Sequence, residues 1–157
     1  MGLQNPANIA AMVRAAGKKG KHLQFGALVY RLNKGKIEVL LVTSRRSQRW
    51  ILPKGWPIAG LKPHQTAAQE AWEEAGVRGR TKKHSLGMYT YTKDRKDWRA
   101  GSCSVLLFPL EVRKLDNKFP ERDERRRKWL SRKKAAARIE NPELARIVRK
   151  FDPRTLP

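Results

Sequence analysis

Of the four acidic residues among the first 80 positions, three fall within one helical turn: Glu70, Glu73 and Glu74, with Glu38 the fourth. The segment that carries them, PHQTAAQEAWEEA at 63–75, reads as a helix: Pro63 suits a first helical position, and Gly76 suits the residue just past the end. At about 100° per residue, Glu70 and Glu74 stand about 40° apart, and Glu73 lies about 60° from Glu70 on the other side. Ala67, Ala68, Ala71, Trp72 and Ala75 form an opposite, apolar stripe, so the helix is expected to pack by an Ala/Trp face and present carboxylates on the other. Like charges four residues apart destabilise a helix by a few tenths of a kcal/mol. Glu73 and Glu74 also stand in the last turn, where the helix dipole disfavours anions. A chain with 36 Lys+Arg against 14 Asp+Glu had cations available for these positions. The helix alone leaves two readings open. One is a solvated acidic face paired with basic neighbours. The other is a set of hard carboxylate oxygens for a divalent cation, Mg²⁺ or Mn²⁺.

The chain has 157 residues, 39% of them hydrophobic, which suits one domain with a packed core. Residues 1–23, with Lys18, Lys19 and Lys21 among Gly17 and Gly20, are expected to form a flexible basic leader containing a short helix near 9–16, and 24–157 a single domain. QFGALVYRL (24–32) and IEVLLVT (37–43) are strand-like and flank the turn signal Asn33-Lys34-Gly35-Lys36, which predicts a hairpin. A third strand is expected at 49–52, ended by Pro53, and others at 85–92 and 102–113. Residues 114–128 read as charged and irregular, followed by two short helices at 132–139 and 142–151. Strands and helices are mixed without regular alternation, an α+β pattern with a mixed sheet flanked by helices.

No apolar run reaches the length of a membrane-spanning helix, and no apolar N-terminal stretch suggests a secretory signal. The single Cys103 fits a reducing compartment, so a cytoplasmic location is expected. Three His and one Cys are too few for a His/Cys zinc site. The formal net charge of +22 steers anions to the surface, nucleic acid and phosphate-rich small molecules alike.

From Gly55 to Val77 the chain reads GWPIAGLKPHQTAAQEAWEEAGV. This resembles the Nudix box, a glycine, a loop, and a helix ending in Arg-Glu-apolar-x-Glu-Glu-x-Gly-apolar. Gly55, Glu70, Ala71, Glu73, Glu74, Gly76 and Val77 fall on the box positions without insertion. Two positions depart: Leu61 stands where the family has glutamate, and Gln69 where it has the arginine that helps hold the box glutamates. The segment 43–56, TSRRSQRWILPKGW, resembles the approach to the box in diphosphoinositol polyphosphate phosphohydrolases, and its Pro-Lys-Gly also resembles the diadenosine polyphosphate hydrolases. The tail at 124–139, ERRRKWLSRKKAAARI, resembles the strand-and-helix tail of that subfamily, and 125–128 within it is strand-like, so alternate residues there face opposite sides.

The resemblance implies an α/β/α sandwich around a mixed sheet, with the box as loop–helix–loop. It implies a metal-dependent pyrophosphohydrolase cleaving a phosphoanhydride in a dinucleoside polyphosphate, an inositol pyrophosphate or another nucleoside-diphosphate-linked substrate. Carried over by position, Glu70 and Glu74 are metal ligands, Glu73 is a ligand or water-orienting base, and Gly55 offers a carbonyl. Some family members use a carboxylate outside the box as base, and the sequence names none. Arg45, Arg46, Arg49 and Lys54 are expected to contact phosphate, two of the four decisively. Trp56 either stacks on a base or covers the loop. Trp50, Trp72 and Trp129 read as structural. Lys93, Arg95, Lys96 and Arg99 sit between two strands, either closing over a substrate or forming a mobile hairpin tip, and one or two of Arg125, Arg126, Arg127 and Lys128 are expected to face the site. His22, His64 and His84 carry no motif. The competing reading is a nucleic-acid-binding protein on a Nudix scaffold with little activity, and an intermediate one removes pyrophosphate from RNA 5′ ends. A monomer or homodimer is expected.

Overall fold

The computed structural model describes residues 3–16, 22–92 and 101–157. Strands β1 (Leu23–Asn33) and β2 (Lys36–Thr43) are antiparallel and pair Tyr30 with Val39 and Asn33 with Lys36. Lys34 and Gly35 both have positive φ, 52° and 78°, the backbone of a two-residue turn whose twist matches the strands it joins. β1 is buried from Leu23 to Tyr30 on both its faces, which explains its continuous apolar run and makes it the centre of the sheet. Its other neighbour is β7 (Ser102–Leu115), parallel to it, with Ala27 opposite Phe108.

Around this pair the remaining strands complete an eight-stranded mixed sheet, with the main order β3-β2-β1-β7-β5. β3 (Trp50–Ile51) and β8 (Arg127–Ser131) pair with β2, while β4 (Lys54–Gly55) pairs with β1. β5 (Val77–Thr81) and β6 (Gly87–Thr92) pair with β7. The alternation of side chains splits the core in two. Phe25, Ala27, Val29, Leu40, Val42, Leu106 and Phe108 pack with Ala67, Ala71 and Ala75 of α2 (Pro63–Ala75) and Ile9 of α1 (Pro6–Ala16). Leu28, Tyr30, Val39, Leu41, Val105 and Leu107 pack with α3 (Arg132–Arg138), α4 (Pro142–Lys150) and Phe151. The result is the α/β/α sandwich.

Several expectations change. The strand expected at 49–52 is β3, and after Leu52-Pro53 the chain forms β4 against Phe25 and Gly26 of β1. β5 was not legible as a strand, because it is five residues long with exposed Arg78 and Arg80, and pairing with β7 stabilises it. The strand-like stretch at 125–128 is met by β8, which runs from Arg127 to Ser131 against β2. The irregular stretch shrinks to 116–126. Within the expected leader, residues 6–16 are the helix α1, Ile9 is 3% exposed, and Gln4 bridges Ser85. Lys18, Lys19, Lys21, Lys93, Arg95, Lys96 and Arg99 lie outside the described residues.

Candidate active site

The box helix α2 is tied at both ends. At its start the Lys62 N–H donates to the Gln65 side-chain oxygen (2.8 Å), and Pro63 occupies the first turn. At its end Gly76 adopts the left-handed φ of 69° and donates to Trp72 O, while Arg127 Nη1 donates to Ala75 O (2.6 Å) and Asp116 O (2.8 Å). Cations beside the last carbonyls offset the charge that the dipole places there. α2 thus presents its glutamates at a fixed height above β4.

The two best-placed glutamates differ from the expected outward cluster. Glu74 is 4% exposed, because the turn that carries it is covered by β4 and by the segment preceding β8. Its Oε2 accepts the Lys54 N–H (2.9 Å), and its Oε1 accepts Arg125 Nη2 (2.8 Å). Burial raises its pKa, against the pull of Arg125 and the Lys54 N–H. Glu70 is half-buried with its carboxyl against Gly55, where any Cβ would lie 2.2–2.5 Å from it. Its pKa is pushed up to about 7, first by burial, then by the charges of Glu73 and Glu121. Glu73 is less enclosed, and its Oε1 accepts Gln69 Nε2 (3.2 Å).

Glu121 is the carboxylate outside the box that the sequence did not name. Its N–H donates to Glu73 O (2.9 Å), and its Oε1 accepts Arg125 Nε (3.1 Å) and Nη2 (3.0 Å). Arg45 Nε lies 3.7 Å from the same oxygen. Arg125 also donates from Nη1 to Thr43 O (3.0 Å). Glu121 had no sequence signal, since it stands in a run of mixed charge, whereas Arg125 is one of the four basic residues of which one or two were expected to face the site. Among the described residues no three His, Cys, Asp or Glu side chains form a ready-made metal cage. Glu74 already uses both oxygens on Lys54 and Arg125.

The other expected residues divide. Lys54 is half-buried, donates to Tyr91 OH (3.0 Å) and Gln24 Oε1 (3.3 Å), and lies over the Tyr91 ring. Arg45 and Arg46 are exposed, and Arg45 lies toward Glu121. Arg49 pairs with Glu140 (3.2 Å), toward the α3–α4 turn rather than the glutamates. Trp56 is 38% exposed directly after Gly55. Arg126 lies over Trp50, and Arg127 serves the end of α2, so of the basic run only Arg125 reaches Glu74. Trp72, read as core, is half-buried under the Arg78 guanidinium, 4.0 Å from its ring.

The family model of the NUDIX domain matches residues 20–151. The chain belongs to the Nudix hydrolase family. Nudix hydrolase 13, mitochondrial, of Arabidopsis thaliana is 32% identical over 105 residues, 64% of this chain and 52% of that protein. The chain therefore spans about half the length of that plant relative. Diphosphoinositol polyphosphate phosphohydrolase 3-alpha of Mus musculus is 43% identical over 60 residues, 38% of this chain and 36% of that one. Among solved structures, a C. elegans Ap4A hydrolase binary complex superposes with a TM-score of 0.57 at 25% identity, covering 82% of this chain and 93% of that one. The segment 55–77, which resembles the Nudix box, lies within the matched region.

Proposed function

We propose that this Nudix chain is a divalent-metal-dependent pyrophosphohydrolase, cleaving a phosphoanhydride bond by water attack at phosphorus. The substrate class we assign is a dinucleoside polyphosphate, an inositol pyrophosphate or a related nucleoside-diphosphate-linked compound. The observation that carries the reading is Glu70 seated on Gly55, with the carboxylates of Glu73, Glu74 and Glu121 gathered around it. An excess of hard oxygen donors on a fixed helix suits Mg²⁺ or Mn²⁺. Glu70 and Glu74 would hold the cation, with the Gly55 carbonyl and Glu73 as further donors. When bound, such an ion neutralises phosphate charge and lowers the pKa of a coordinated water.

The protein's own groups supply the rest. Glu73, less buried than Glu74, orients the attacking water or receives its proton at a carboxylate oxygen. The exposed Arg45, which lies toward Glu121, and its neighbour in sequence Arg46 suit the phosphate chain, with guanidinium forks that grip two oxygens at once. Lys54, anchored by Tyr91 and Gln24, adds fixed positive charge. Trp56 offers a ring at the entrance for a base or a hydrophobic edge. The names of the relatives support this class: one is called a diphosphoinositol polyphosphate phosphohydrolase and another an Ap4A hydrolase.

The test is product release from a panel of diadenosine polyphosphates, inositol pyrophosphates, nucleotide sugars and 5′-triphosphorylated RNA, with Mg²⁺, with Mn²⁺ and after EDTA. Metal-dependent turnover of at least one polyphosphate and none in EDTA is expected. Equal turnover in EDTA, or none on any phosphoanhydride, would overturn the proposal.

A further inference from the structure

The geometry points to Arg125 as the positioning residue of this site, the cation that holds Glu74 and Glu121 in register on the flank of the box helix. This inference rests on the metal-site reading above. Four carboxylates, Glu70, Glu73, Glu74 and Glu121, crowd one end of α2, and mutual repulsion must be offset for them to hold one arrangement. Position 69 offers only an amide in this chain, and Gln69 reaches Glu73 alone (3.2 Å). Arg125 is the cation enclosed with the cluster: its side chain is 8% exposed, and that of its partner Glu74 is 5% exposed.

Its guanidinium uses three nitrogens in three directions. Nη2 joins Glu74 (2.8 Å) and Glu121 (3.0 Å), Nε joins Glu121 again (3.1 Å), and Nη1 holds the carbonyl at the end of β2, Thr43 O (3.0 Å). Next to it, the Arg126 N–H donates to Thr43 Oγ1 and the Thr43 N–H to Arg126 O, so the backbone that carries Arg125 is fixed to β2. A planar fork on a pinned backbone sets the position of a carboxylate oxygen, which a lysine's single ammonium does not. With Glu74 Oε2 fixed by the Lys54 N–H, both oxygens of that carboxylate are oriented by the protein before any ligand arrives. Groups that orient metal ligands from behind are worth about 10- to 100-fold in metal affinity.

The probe is Mn²⁺ alone, titrated into EDTA-stripped, dialysed protein, with free Mn²⁺ read by electron paramagnetic resonance. Arg125→Gln is expected to weaken Mn²⁺ binding by about 10- to 100-fold and Arg125→Lys by an intermediate factor. Gln69→Arg in the wild-type background should change affinity less than about twofold, whereas in the Arg125→Gln background it should recover at least about threefold, the non-additivity expected of residues sharing one cluster. Wild-type or tighter Mn²⁺ binding by Arg125→Gln would overturn the inference, since the guanidinium would then merely compete with the cation. Equal effects of Gln69→Arg in the two backgrounds would also overturn it. If Arg125→Gln does not give a folded protein by circular dichroism, Arg125→Lys decides: affinity equal to wild type overturns the inference, and reduced affinity restored by Gln69→Arg supports it. Glu70→Gln is the control for the site itself. Should it bind Mn²⁺ as wild type does, the metal-site reading fails and the inference with it. Weak binding by Glu70→Gln beside normal binding by Arg125→Gln removes the inference alone.

Discussion

Gly55 and Glu70 show how tightly single atoms are matched in this site. A Cβ at position 55 would fall on the Glu70 carboxyl, the far end of a flexible side chain, so the collision is relieved by moving Glu70 rather than the backbone. Gly55→Ala is therefore expected to leave the thermal midpoint within a few degrees of wild type while cutting turnover at least tenfold, about 1.4 kcal/mol of transition-state stabilisation. Paired melting curves and initial rates check this. Glu70 also gives the metal-free protein a pH signature. Its pKa rises from an ordinary 4.5 to about 7 on folding, so between those values the folded chain keeps a proton that the unfolded chain has released. Stability of the EDTA-treated protein should be greatest on the acid side of this window and fall as pH rises through about 5 to 7. His64, its pKa lowered by burial and then by Lys83 and Lys62, acts the other way near pH 6.5, so the measurement is the urea midpoint of wild type minus that of Glu70→Gln. A difference independent of pH would contradict the account. Glu70 and Glu74 were legible because acids are rare in the first half of the chain, and Gly55 because of the box resemblance. Glu121 was not, and Arg125 was only one of four candidates, because in a run of mixed charge only tertiary pairing tells which residues turn inward.

The box helix α2 is held by contacts that lie far from it in sequence. Gly76 closes it at φ 69°, and a Cβ there would meet Phe119 Cδ1 at 2.5 Å and Asp116 O at 2.6 Å. Gly76→Ala thus combines left-handed strain with a collision against backbone, and a loss of about 2–4 kcal/mol by urea unfolding is expected. Arg127 serves the same helix end from β8, donating to Ala75 O and Asp116 O. Arg127→Gln should cost about 1.5–3 kcal/mol, the range for hydrogen bonds to a charged donor, with the fold retained. The helix itself was readable from Pro63, Gly76 and the Ala stripe. The burial of Glu74 was not, because the helical wheel places it beside that stripe but says nothing of β4 and the 121–126 segment closing over it. Likewise Trp72 has the periodicity of a core residue, yet it is only half-buried, with the Arg78 side chain of β5 lying across its ring.

Across the whole molecule the sandwich brings Gly55 from β4, the glutamates from α2, and Glu121 with Arg125 from the approach to β8 to one end of α2. The central β1–β2 hairpin and the mixed sheet could be anticipated from apolar runs and a turn signal, and the neighbourhood of β8 from its strand-like character, whereas β5 required the sheet to exist before it was a strand. The net charge of +22 acts at this level too. A separate cavity of about 750 Å³ runs along α2 and β5, with Trp72, Arg78, Arg80 and Lys83 on its walls and none of the box glutamates. If the charge serves a polyphosphate substrate, Arg45→Ala with Arg46→Ala should raise KM about tenfold or more and leave RNA binding weak at about 150 mM salt. Binding of a single-stranded RNA across about 50 to 200 mM salt checks this, and tight, steeply salt-dependent binding with negligible polyphosphate turnover would favour the nucleic-acid reading. The most direct test of the metal-dependent hydrolase is hydrolysis of diadenosine tetraphosphate and an inositol pyrophosphate in ¹⁸O-water with Mg²⁺, comparing wild type, Glu70→Gln and Glu74→Gln. The account predicts one ¹⁸O in a product phosphate from wild type, and a fall of about a hundredfold or more in both variants, since losing a metal contact removes several kcal/mol of charge stabilisation. Full turnover by folded Glu70→Gln and Glu74→Gln would contradict it.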